Sequence, residues 1–169
     1  MLRTAGGLTI NQTTNFSGYY GSFYSSTDQT DGTVTHSMFA ESTADADGIS
    51  MELNADNKKS RITFDHAGTY NIQFSAQFHH IGGGGSGQTV NVWFRLNETD
   101  IANSDTKLTV QSNAPYVVAA WNFIVSVAAA DYVEIMWFTD NANIIIEHEV
   151  ATATHPAIPS VIITAVQVR

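Results

Sequence analysis

The sequence predicts an all-β protein, a sandwich or barrel of about eight to ten short antiparallel strands. Three observations carry this. In the run GTYNIQFSAQF, Tyr70, Ile72, Phe74, Ala76 and Phe78 fall on one side, while Asn71, Gln73, Ser75 and Gln77 fall on the other. A strict period of two is the pattern of a strand with one face in a core and one in water. Turn signals rich in Gly, Asn, Asp and Pro recur at intervals of roughly 8–12 residues. No stretch carries the period of a long amphipathic helix, and the run Ala128-Ala129-Ala130 is too short to nucleate one.

The elements follow in order. Residues 1–17 are small, polar and Gly-containing, with a brief alternation at Leu8 and Ile10, and read as an extended arm. Residues 18–169 then form a single domain. Tyr19 to Tyr24, YYGSFY, is a first core strand, followed by a polar loop. Residues 31–60 hold only scattered apolar touches, at Val34, Met38, Phe39, Ile49, Met51 and Leu53, which fit two short strands with loops. Ser60 to Phe64 alternates, turns at Ala67-Gly68, and enters the organising run. The run Gly82-Gly83-Gly84-Gly85-Ser86-Gly87 is an exposed hairpin tip; no Gly-Lys-Ser/Thr follows it, so it is not a phosphate cradle. Val90 to Leu96 is the next strand, closed by Asn97-Glu98-Thr99-Asp100. Ile101 to Val110 continues with polar interruptions, and Tyr116 to Val127 is nearly continuous apolar and reads as a buried strand. Tyr132 to Phe138 and Asn141 to Val150 are further strands, and His155-Pro156-Ala157-Ile158-Pro159 is a rigid extended connector. In the closing run, SVIITAVQVR, Ile162 and Val166 lie on one face and Val161, Ile163 and Ala165 on the other. A strand apolar on both faces belongs mid-sandwich or at a subunit interface.

At 169 residues, 43% of them hydrophobic, the chain can bury a core of its own. Only 14% are charged, against a usual figure of roughly 25%, so the surface is uncharged and rich in Asn, Thr, Ser and Gln. Such a surface suits a harsh exterior, or one covered by copies of the same chain. A net charge of −9 with seven Lys and Arg argues against nucleic acid or an anionic membrane as partner. Cysteine is absent, which removes disulfides, thiolate nucleophiles and Cys-based zinc sites. The opening MLRTAGGLTINQTT has no apolar h-region and no span of bilayer length, so synthesis in a cytoplasm without a standard export signal is expected, with no membrane insertion.

Candidate chemistry is sparse. Of the six histidines, His36, His66, His79, His80, His148 and His155, the adjacent pair His79-His80 points to opposite faces of a strand and cannot easily share an ion. Asp45-Ala46-Asp47-Gly48 matches part of a calcium loop, but a third acidic ligand and the distal Glu are missing, so an Asp/Gly turn is expected. There is no Gly-x-Ser-x-Gly elbow, and carboxylate pairs fall only on turns. Three Asn-x-Ser/Thr matches, at Asn11, Asn15 and Asn97, are expected by chance in a chain this rich in Asn and Thr. Trp93, Trp121 and Trp137 lie in apolar runs, and core packing outweighs sugar stacking for them. No enzyme, cofactor or metal is expected.

The order of phrases YGSFYSSTDQT, SRITFDHAGTYNIQFSAQF, VNVWFRLNETDIANSDT, AAWNFIVSVAAADYVEIMWF and PAIPSVIITAVQVR resembles the compact jelly roll of the tumour necrosis factor (TNF) and complement globular-head superfamily. It is more specifically similar to the version in virion proteins of marine and cyanobacterial tailed phages. Gly68-Thr69-Tyr70 and Asp131-Tyr132-Val133 match that family's anchors, whereas its usual Asn-Gly turn is here Asn97-Glu98, which implies a changed turn type in the same hairpin. The similarity runs from about Tyr19 to Arg169, and SAQF, AAWNF and PAIPSVI are its most telling phrases.

The resemblance implies a jelly-roll β-sandwich that forms a homotrimer, with a structural role on the virion surface. The seam is expected on the first and last strands, at Tyr20, Phe23, Ile162, Thr164, Val166 and Val168. The expected function is a capsid decoration (cement) protein on the head, its arm residues Leu2, Arg3, Leu8 and Ile10 touching the shell of major capsid protein. The alternative is a tail-fibre or tail-spike tip that binds a host receptor and contacts tail proteins. A secreted bacterial lectin of similar fold is a third possibility, disfavoured by the missing signal.

Overall fold

The computed structural model describes residues 18–82, 86–112 and 116–169; the arm, with Leu2, Arg3, Leu8 and Ile10, lies outside the described residues, as do Gly83, Gly84 and Gly85. Two antiparallel sheets pack face to face. The first has the order β10 (Tyr116–Val127), β6 (Gly68–His80), β13 (Val161–Gln167), β1 (Tyr20–Ser25), β3 (Ser42–Asp47), and a short β12 (Ile144–Ile146) pairs with the far end of β6. The second has the order β4 (Ile49–Leu53), β5 (Lys59–Phe64), β11 (Tyr132–Thr139), β7 (Gln88–Leu96), β8 (Thr99–Asp100), with β2 (His36–Ser37) on β11 and β9 (Thr106–Val110) on β7. The expected strands are present, β2 and β8 are short additions, and β12 is the part of the strand expected over Asn141 to Val150 that forms.

The organising strand is the longest, and it sits between the two others that matter most. Register pairs β6 with β10 from Gly68↔Val127 to His79↔Tyr116, and with β13 from Tyr70↔Gln167 to Ala76↔Val161. Its inward residues Tyr70, Ile72, Phe74, Ala76 and Phe78 meet Ile62, Phe64, Val92, Phe94, Ile135 and Trp137 of the opposite sheet in one continuous core. Ring contacts cross the sandwich: Phe74 stands edge-on to Phe94 at 6.0 Å, and Phe78 tilts against Trp137 at 5.7 Å. Losing one such ring to Ala removes transfer energy and leaves a cavity, a cost of about 3–5 kcal/mol.

The structure departs from the sequence expectation in six places. Residues 31–60 hold β2, β3, β4 and the start of β5 instead of two strands. The Asp45-Ala46-Asp47 segment is strand, paired with β1 through Tyr20↔Asp47 and Ser22↔Asp45. Gly48 then lets the chain turn from one sheet into the other within a single residue. Its φ is +69°, and a Cβ there would stand 2.4 Å from Tyr19 Cδ1. Strands β6 and β7 belong to different sheets, so the Gly82–Gly87 segment between them is not the tip of a β-hairpin. Gly82 and Gly87 are half-buried against Asn143 and Gln111, and Ser86 is exposed. The hairpin β7–β8 keeps its turn type despite Glu98: Asn97 and Glu98 sit at φ +46° and +66°, both left-handed, as in a two-residue type I′ turn. Finally, β10 is a sheet edge open to solvent on one face, and beyond β12 the chain from Glu147 to Val150 is not a strand.

Candidate interaction face

The outer face of the first sheet is where the sequence-predicted seam residues fall, with one exception. In β13, Ile163 and Ala165 point into the core, so Ile162, Thr164 and Val166 point outward. Ile162 is 42% exposed and Val166 40%, and Val168 just beyond the strand is also exposed. Tyr20 projects from the same face of β1, its hydroxyl donating to Asp45 Oδ2 at 3.3 Å. That carboxylate's charge pushes the Tyr20 phenol above its ordinary value. Phe23 is the exception: it is 1% exposed and sits in the sandwich core, since an odd step along β1 reverses its face.

Strand β10 adds residues that the sequence did not assign to this face. Val118 is 61% exposed and Ile124 59%, and Tyr116 is exposed at the strand's start. Register places them in rows across the sheet. Ile124, Asn71 and Val166 lie side by side, then Asn122, Gln73 and Thr164, then Ala120, Ser75 and Ile162. None of these nine side chains ionises. Asn122 Nδ2 donates to Asn71 Oδ1 at 3.0 Å, and Thr69 shares a hydrogen bond with Ser126 at 3.1 Å, so these four side chains are tied within the sheet. Among the described residues, ionisable groups stand at the margins, with Asp45 and Asp47 on one side and His79, 2.8 Å from Glu147, and Glu149 at the end of β6. His79 stacks on Tyr116 at 4.3 Å while His80 is buried, so the adjacent histidines do point to opposite faces. An uncharged centre with apolar relief and a charged rim is the anatomy of a protein–protein interface.

Polar clusters elsewhere read as structural ties. Asn54 Nδ2 donates to Ser37 Oγ (3.1 Å), Ser37 Oγ to Ser60 Oγ (2.8 Å) and Ser60 Oγ to Glu134 Oε1 (3.1 Å). The donors all run one way and end on a buried carboxylate, which joins β2, β5 and β11. Among the described residues no group of three or more His, Asp or Glu is placed to hold a metal. Of the tryptophans, Trp137 is core and Trp121 packs edge-on to Phe74 at 4.7 Å, as expected. Trp93 is not core: the register that buries Val92 and Phe94 turns it to the outer face of the second sheet, half-buried.

No protein-family model and no curated protein matches the chain. Among solved structures, that of murine APRIL matches over 89% of this chain and 99% of its own, with a TM-score of 0.53 and 8% sequence identity. The fold is a TNF-like jelly roll. At that identity the likeness shows the fold alone.

Proposed function

We propose that this chain is a structural protein of a tailed-phage virion surface, trimeric through the outer face of β10, β6, β13 and β1, and that it serves as a decoration protein on the head. The observation that carries the self-association is the uncharged face itself, with Val118, Ile124, Ile162 and Val166 all at least 40% exposed on one sheet. Long, apolar and uncovered strands are a liability in a solitary chain, and a partner copy removes it. The threefold symmetry and the virion setting rest on the resemblance carried by SAQF, AAWNF and PAIPSVI. Residues 1–17 are the proposed contact with the shell of major capsid protein.

The second reading, a receptor-binding tail tip, is favoured by one feature, the half-exposed Trp93 on the opposite sheet. Quantitative mass spectrometry of purified particles separates the two. A copy number comparable to that of the major capsid protein is expected. A small fraction of that number would move the chain to the tail, and its absence from particles would overturn the virion assignment.

A further inference from the structure

The outer face of the second sheet carries a groove of about 550 Å³ between β7, β11 and the segment linking β8 to β9. Trp93 and the 36%-exposed Phe138 line it, with Asn91, Asp100, Asn103 and Asp105. The indole is held in place: Trp93 Nε1 donates to Asp100 Oδ1 at 2.8 Å, and Arg95 Nε donates to the same oxygen at 2.8 Å. Asn91 Nδ2 donates to Asp105 Oδ2 at 2.8 Å. These bonds use one oxygen of each carboxylate and leave Asp100 Oδ2 and Asp105 Oδ1 outside them.

We propose that this groove binds a neutral sugar unit of a glycan, with Trp93 as the stacking platform and Asp100, Asp105, Asn91 and Asn103 as partners for its hydroxyls. A pyranose has a flat face of C–H groups that suits an aromatic ring, and an edge of hydroxyls that each donate and accept. The groove is shallow and open to solvent, and it offers both surfaces side by side. A neutral ligand fits better than a cation because the charge of Asp100 is already met by Arg95 and that of Asp105 is engaged by an amide. Fixed acceptors beside a fixed ring cost a ligand little ordering on their side. The hydrogen bonds from Arg95 and then Trp93 hold the Asp100 carboxyl below its ordinary value, so the bracing of the ring persists into mild acid. The site lies within one subunit on the sheet opposite the proposed seam, and so does not rest on the trimer or the virion assignment.

The test is binding of the purified full chain to a printed array of neutral, anionic and amino-sugar oligosaccharides, with immobilised choline and trimethyl-lysine peptides as cationic probes. Retention on neutral oligosaccharides is expected, weakened about tenfold or more in Trp93→Ala, the signature of one lost anchoring contact. Asp105→Ala removes an exposed carboxylate and its surface hydrogen bond from Asn91; it should weaken binding in the same direction with little change in melting temperature, while Asp47→Ala on the other sheet leaves binding intact. Failure to retain any neutral oligosaccharide, retention indifferent to both groove substitutions, or retention only on the quaternary ammonium probes would each overturn the proposal.

Discussion

At the scale of single residues, the chain tolerates local cost where the fold needs a sharp turn. Glu98 occupies a left-handed conformation that a side chain enters at about 1 kcal/mol or more, and which Gly enters freely. Its compensation is an ion pair with Arg61 at 3.2 Å, made by a carboxylate whose side chain is 75% exposed, and such pairs contribute about 0–1 kcal/mol. Glu98→Gly should therefore raise stability by about 0.5 kcal/mol, read as a higher denaturation midpoint with unchanged slope. Asn97 is the better-matched half of the turn. It donates to Asp131 Oδ1 at 2.7 Å and accepts from the Tyr132 N–H at 3.0 Å, which pins this hairpin to the neighbouring corner. The sequence showed the hairpin but not its type, because turn type is set by the twist of the flanking strands as much as by the two residues between them.

At the scale of strands, legibility followed alternation. β6 was plain because Tyr70, Ile72, Phe74, Ala76 and Phe78 along its inward face are apolar and Asn71, Gln73, Ser75 and Gln77 along its outward face are polar. β3 was not, because Ser42 to Asp47 contains no large apolar residue, and its pairing with β1 is a tertiary fact that no local period carries. β10 failed in the other direction. Val118 and Ile124 are as apolar as the residues between them, so the run signalled burial on both faces where one is open. That excess of apolar surface marks the candidate face. The buried serine chain was equally hidden, since Ser37, Ser60 and Glu134 are remote in sequence. Ser60→Ala leaves the buried Glu134 carboxylate without this donor, and should cost about 1–3 kcal/mol in a denaturant melt. A loss near zero would show that water replaces the hydroxyl and that the three strands are joined by their backbones alone.

At the scale of the molecule, the two sheets have unlike exteriors. One presents an uncharged, partly apolar face centred on Gln73 and Thr164; the other presents a groove with carboxylates and a braced indole. Such division suits a subunit that meets copies of itself on one side and something else on the other. The closing strand made the first of these readable: its two apolar faces needed two partners, and the core supplies only one. Because Ile162 is exposed in the single chain, Ile162→Asp should leave the fold intact and act on assembly alone, where it would bury an unpaired charge. The most direct test is the sedimentation-velocity mass of the wild-type chain and of Ile162→Asp at equal concentration. The account predicts three chains for the wild type and one, with an unaltered circular dichroism spectrum, for the variant. A wild type that sediments as a single chain, or a variant that remains a trimer, would contradict it.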